Sequence, residues 1–348
     1  RAVQLTASEL GHWLRTSVIR IAILSSCESL AAARDLSKMD QLDTAVGMQT
    51  VMPIVTATEF DNAVIEALFA WLPIERCVAY GRQQVQETLR ERTYDDPNWD
   101  WPDRPDWAIP VLFTRSPGRR LGVSEVPAGR YRLGLNESEL TILAKRFGYS
   151  SGLPDLIRSC ISPSREVNLP AFKIGCWPVT NHQYRYFLQH APSDTPLPPG
   201  FERRGNNVGL RGLNASAPVV NVTWEEAQAF CRWAGGRLPE ADEWEVAARG
   251  SKGTVFPWGD EFDSKLCSAV GNRVAGPQSA FATPGGASPF GVEDLCGNVF
   301  EWTANGEHDL KATVGGSWSA LPEFALPSLR CPRKPDERYP DVGFRCVV

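Results

Sequence analysis

Residues Ala217 to Gly250 read APVVNVTWEEAQAFCRWAGGRLPEADEWEVAARG. Thr223 followed three residues later by Glu226 has the spacing of a capping box, in which each side chain satisfies a backbone N–H near the other. Ala227, Phe230, Cys231 and Ala234 then recur at helical spacing, which predicts a helix with one buried face. A second helix is expected from about Glu240 to Arg249, ending at Gly250, a residue suited to the conformation beyond a helix C-terminus. Upstream, Thr180 and Gln183 repeat the cap, and Tyr184, Phe187 and Leu188 supply the buried face. Val126 to Tyr131 reads as an opening strand and turn, and Ala171 to Gly175 as a later strand. Beyond Gly250 the chain is rich in Gly and Pro, with only short strands expected. Such a region must be held by aromatic side chains, and most of the 12 tryptophans are available for that.

Working outward, 348 residues exceed one ordinary core and predict two domains. With 43% hydrophobic and 22% charged residues, the composition is that of a folded globular chain. A net charge of -5 without a dense Lys/Arg cluster gives no expectation of a nucleic-acid partner. No apolar run approaches the roughly 18–20 residues that span a bilayer, so no membrane partner is expected. Arg1 opens directly onto an amphipathic stretch, so a signal peptide is not expected; without an initial Met, the chain reads as a fragment or processing product. The nine cysteines are odd in number, scattered and free of any Cys-x-x-Cys pair. That pattern predicts neither a zinc site nor a secreted disulfide framework, but thiols packed in a reducing cytoplasm.

The first part, residues 1–117, has an apolar β-branched run at Val18 to Leu24, a second apolar stretch at Thr44 to Met48, and a last expected strand at Ile109 to Thr114. Helical spacing from Glu59 to Leu72 and a helix at Gln83 to Arg92 lie between the later strands, so a layered α/β sheet is expected. AILSSCES, AVGMQT and WAIPVLFTRSPG, in this order, resemble the C-terminal part of a CHAT domain, a caspase-like cysteine peptidase fold. The resemblance implies Cys27 as the nucleophile. A thiolate there needs a base. The family's histidine lies upstream of this chain, and His12, in an expected helix over Ala7 to Arg15, is not expected to replace it. For this chain alone Cys27 reads first as a packed thiol; in a longer parent, as a nucleophile.

Residues 118–122 read as a linker, where Arg119-Arg120-Leu121-Gly122 precedes a shift to Gly/Pro-rich sequence. From 123 to 348, CWPVTNHQYRYFL, the stretch quoted above, FPWGDEF, CGNVFEW, VGGSW and VGFR resemble the formylglycine-generating-enzyme, or sulfatase-modifying-factor, family. The implied fold is an α+β, loop-rich C-type-lectin-like domain, so the whole chain is expected to pair it with a partial α/β caspase-like domain. Enzymes of the family hold copper with two cysteines just after the GGS-aromatic motif. Ala320 and Ala325 occupy those positions here, and alanine offers neither a soft ligand nor redox chemistry, so no copper is expected. The His-x-x-x-His-x-Glu run of the related iron-dependent sulfoxide synthases is missing as well.

The resemblance implies one surviving metal site, a structural calcium held by the side chains of Asp294 and Glu301 and the carbonyls of Gly297 and Val299. The alternative is that these acids cap turns or pair with Arg330 or Arg345. Finally, Pro322, Arg330, Pro335, Asp336, Arg338 and Gly343-Phe344-Arg345 resemble the framework of diversity-generating-retroelement variable proteins. Ser319, Ala320, Leu321, Phe324, Cys331, Tyr339, Pro340 and Asp341 fall at the intervening positions. All are residue types reachable from an AAC codon by changing its adenines only, whereas Trp, Met, Lys, Gln and Glu are not. The alternative is an ordinary surface loop. The functional expectation is a non-catalytic domain binding a protein or small-molecule ligand, attached to a caspase-like effector. A CHAT-type cysteine peptidase and a copper-dependent oxidase are the alternatives.

Overall fold

The computed structural model describes residues 123–348 apart from 206, 270–275, 280–284 and 307, together with three strands and Val64 of the N-terminal part. The chain divides into two units, Arg1–Leu121 and Gly122–Val348. In the first, β1 (Ile21–Leu24) pairs in parallel with β2 (Thr44–Met48), which pairs antiparallel with β3 (Pro110–Thr114). The sheet is therefore mixed, and Pro110 stands at the start of an edge strand, where its missing N–H is tolerated. Cys27, His12 and the helices expected within Glu59 to Leu72 and Gln83 to Arg92 fall outside the described residues, save Val64, which is helical and buried.

The second unit opens with β4 (Val123–Val126) and β5 (Gly129–Leu133), which pair antiparallel with β7 (Phe172–Gly175) and β6 (Arg165–Leu169). Between them lie α1 (Glu137–Arg146) and the short α2 (Asp155–Arg158). Helix α3 (Asn181–His190), the hairpin β8 (Phe201–Arg204) and β9 (Asn207–Leu210), α4 (Trp224–Trp233) and α5 (Ala241–Arg249) follow. The C-terminal third contributes a four-stranded sheet in the order β12 (Arg330–Arg333), β11 (Lys311–Val314), β10 (Phe300–Trp302), β13 (Val342–Gly343). Its last pair, β10 with β13, is parallel. Among the described residues no helix is long and apolar enough to cross a membrane.

Thr180, Thr223 and Asn136 each cap their helix through a reciprocal box with Gln183, Glu226 and Glu139. Helices α3 and α4 meet through aromatic rings. Tyr184 stacks on Phe230 at 5.7 Å between centroids, and Phe230 meets Phe344 edge-on at 5.4 Å. A second apolar cluster joins β4, β5 and β7 to α5 and β11 around the fully buried Trp244.

Asp242, at the start of α5, accepts hydrogen bonds from Arg165 of β6 at 2.6 Å and Arg330 of β12 at 2.5 Å. Burial alone pushes the Asp242 carboxyl up, but the two arginines outweigh it and hold the group below the usual carboxylate range. A depressed folded-state pKa contributes stability that is complete above the unfolded value and disappears as pH falls through the folded one. Asp242→Asn is therefore expected to lower the melting temperature most at neutral pH, with the gap to wild type closing below about pH 4. Thermal melts of both proteins across that range check this; a gap independent of pH would show that the ion pairs do not carry the effect.

Candidate functional site

The segment after β11 turns back on itself at Gly315 and Gly316, with φ of 91° and 76°. A Cβ at Gly316 would sit 2.6 Å from the Ala325 Cα and 2.8 Å from the Phe324 carbonyl oxygen, so only glycine lets residues 317–326 fold this closely. Within that segment Pro322–Phe324 forms one 3-10 turn. Glu323 points inward, buried, and accepts a hydrogen bond from the Tyr149 hydroxyl at 2.5 Å. Ala325 is fully buried, with its carbonyl accepting from the Cys296 thiol at 2.6 Å. Ala320 is half-buried. The side chains between Trp318 and Leu326 therefore offer no soft ligand, and the carboxylate among them is engaged inside the fold.

Beside this segment runs the loop from β12 to β13. Asp341, only 8% exposed, accepts from both Ser317 Oγ and Ser319 Oγ at 2.9 Å, so one carboxylate oxygen fastens the two loops together. Arg333, on β12, lies 3.9 Å from the same oxygen and covers the Tyr339 ring at 4.6 Å. The Tyr339 hydroxyl donates to Glu337 at 2.8 Å; burial, and then that carboxylate, raise its pKa.

The eight positions singled out in the sequence thus differ in character. Ser319, Leu321 and Pro340 are exposed, Leu321 by 50%. Ala320, Phe324, Cys331 and Tyr339 are half-buried, and Asp341 is buried as a fastener. The patch at the surface is smaller than one in which Leu321, Phe324 and Tyr339 were all fully exposed. Arg333 borders it, and the buried Ser317 fastens it from beneath through Asp341; neither was singled out. Arg333 carries no signal in a stretch with several arginines, whereas Ser317, part of Gly-Gly-Ser, belonged to a motif already quoted.

The four groups expected to hold calcium have a different organisation. Glu301 is fully buried on β10 and receives two hydrogen bonds from Arg345, Nε to Oε2 and Nη2 to Oε1, each 2.6 Å. Trp244 Nε1 adds a third at 2.8 Å. The same guanidinium reaches the Glu293 carbonyl at 2.9 Å and the Asp294 carbonyl at 3.4 Å. Both Glu301 oxygens are committed to this cation and the indole, so the donor set lacks its second acidic member and does not fit the ion as arranged. Asp294 holds a φ of 54° at the turn, and the Gly297 N–H bonds the Gly315 carbonyl at 2.6 Å. Among the described residues no cluster of three or more His, Cys, Asp or Glu side chains is placed to hold a metal.

This architecture has known relatives. Residues 113–348 match the family of sulfatase-modifying factor enzyme 1-like domains. The chain belongs to that family. Sulfatase-modifying-factor relatives include the inactive C-alpha-formylglycine-generating enzyme 2 of Bos taurus, 29% identical over 287 residues that span 66% of this chain and 89% of the relative. The protein of the same name from Mus musculus is 31% identical, across 58% of this chain and 82% of its own. Among solved structures, PvdO from Pseudomonas aeruginosa superposes with a TM-score of 0.50 at 21% identity, over 65% of this chain and 93% of that one. That likeness concerns the fold alone. The α+β, loop-rich second unit is consistent with the C-type-lectin-like architecture of this family.

Proposed function

We propose that the second unit is a non-catalytic recognition domain, with a binding surface built from residues 319–324 and 339–341 beside Arg333. The observation that carries this reading is the chemistry of Trp318 to Leu326. Alanine stands at both positions where the family's enzymes hold copper, and the remaining polar side chains fasten loops. The relatives named as inactive enzymes support the same reading. What remains outward is a small mixed surface of Ser319, Leu321 and Pro340, bordered by Phe324, Tyr339 and Arg333. Loops on a rigid scaffold are the usual place for recognition, and an aromatic ring backed by arginine is a common anchor for a protein partner. A protein or small-molecule ligand is the expected occupant.

In this reading the surface is of the diversified kind. Framework residues such as Arg330 and Arg338 hold ion pairs with Asp242 and Glu226, while the positions between them share no chemical theme. The DNA flanking the coding sequence tests this. A near-copy of the codons for residues 300–345, differing at adenines and lying beside a reverse transcriptase, is expected; an uninterrupted neighbourhood without such a copy would make the surface a fixed one. The first unit is assigned to a caspase-like effector on its sequence motifs alone. If a longer form cleaves peptides, Cys27→Ala is expected to abolish cleavage.

A further inference from the structure

The cysteines that look scattered along the sequence come together in space. Cys231 and Cys346 place their sulfur atoms 2.6 Å apart between α4 and the C-terminus, both fully buried. Cys267 and Cys296 flank the parallel bridge between Ser268 and Gly297, and their thiols are electrostatic neighbours in a buried site. Cys160 and Cys331 form another pair. Ile161 bridges Leu329 antiparallel, and the Arg330 N–H donates to the Cys160 carbonyl at 2.7 Å. These bonds bring the turn after α2 against β12, so that Cys160 lies beside the strand residue next to Cys331 and the two thiols are electrostatic neighbours. Unlike the other two pairs, neither member is fully buried: both are half-buried, with part of each residue reaching solvent.

We infer that Cys160 and Cys331 form a reversible dithiol–disulfide site that reacts with small-molecule disulfides of the glutathione type while the protein remains folded. Accessibility is the discriminating property, because exchange needs an attacking thiolate that can reach the oxidant. Cys331 sits on a strand, where burial, followed by the neighbouring Cys160, pushes its thiol up to about 12, and we assign the first attack to Cys160 of the turn. Its thiolate attacks one sulfur of the small disulfide, breaks that S–S bond and releases one small thiolate. Cys331 then gives its proton to that thiolate and attacks the Cys160 sulfur, displacing the second small thiolate, which takes up from water the proton that Cys160 released on forming its thiolate. The protein loses two hydrogens, and one small disulfide becomes two thiols.

The bond fastens the turn after α2 to the edge strand that carries Arg333. It constrains a long segment of the unfolded chain and so stabilises the fold. Any effect on ligand binding rests on the recognition reading above; formation of the bond does not.

The test uses the full chain under native conditions in glutathione buffers from reducing to oxidising, quenched with acid, alkylated and mapped without reduction. A peptide joining Cys160 to Cys331 is expected to accumulate at oxidising poise, disappear with dithiothreitol, and be absent from Cys160→Ser and Cys331→Ser. The oxidised wild type is expected to melt several degrees higher than the reduced form, a gap that both variants lose. If Cys160 and Cys331 stay alkylatable at oxidising poise, or carry only glutathione adducts, the inference is overturned. The mapping of wild type alone decides this even where a variant folds poorly.

Discussion

Arg345→Met is expected to cost about 3–5 kcal/mol, because it leaves the Glu301 carboxylate buried and without its counter-ion. Both side chains are fully buried, and the guanidinium also satisfies the carbonyls of Gly175 and Glu293. Removing it therefore uncovers one charge and several acceptors together. For a domain of this size each kcal/mol shifts the melting temperature by roughly 2–4 °C, so a fall of about 6–20 °C is expected. The partner substitution separates charge from packing. Arg345→Met combined with Glu301→Leu removes both charges, and should recover much of the single variant's loss. A single variant that melts within a degree or two of wild type would show that this ion pair does not anchor the sheet to the turn at Asp294.

Gly316→Ala is expected to be the next most damaging change. An L-residue at a φ of 76° is strained by about 1–2 kcal/mol before any contact is considered. The new methyl would also meet the Ala325 Cα and the Phe324 carbonyl, which are backbone atoms and cannot swing aside. The segment 317–326 must shift as a unit, and with it the Ser317 and Ser319 bonds to Asp341. A total of about 3 kcal/mol is expected, together with faster amide exchange across 317–326 than across α4. Unchanged exchange in that segment would mean that the glycine does not set its fold.

These two sites also show which features can be seen from sequence. The helices capped at Thr180 and Thr223 were legible because a capping box is local: two residues at fixed spacing, followed by an apolar stripe. The same device at Asn136 and Glu139 precedes Leu140, Leu143 and Ala144, yet α1 escaped the sequence reading, as did hairpin β8–β9. The C-terminal sheet has strands of two to four residues, too short for an alternating pattern to declare itself. Its order depends on pairings such as Phe300 with Val342, which join positions far apart in the chain. The antiparallel run of β3 was hidden for a related reason, since strand direction leaves no local mark.

The site was legible in part. The alanines at 320 and 325 could be located once the Gly-Gly-Ser-Trp motif was recognised. The pairing of Glu301 with Arg345 was one of two open alternatives for that acid, and the distances favour it. The burial of Asp341 could not be foreseen, because an aspartate between Pro340 and Val342 looks like any loop acid. Nor could the three thiol pairs, since their members come from different loops and strands.

The most direct test of the recognition reading is a turnover measurement. The full chain, supplied with copper, oxygen and a reductant, is incubated with a cysteine-containing peptide, and the peptide is followed by mass spectrometry. The account predicts that the cysteine persists at every protein concentration, with no formylglycine above a protein-free control. Formylglycine formed over several turnovers per chain would contradict it and would make the segment from Trp318 to Leu326 part of an active site.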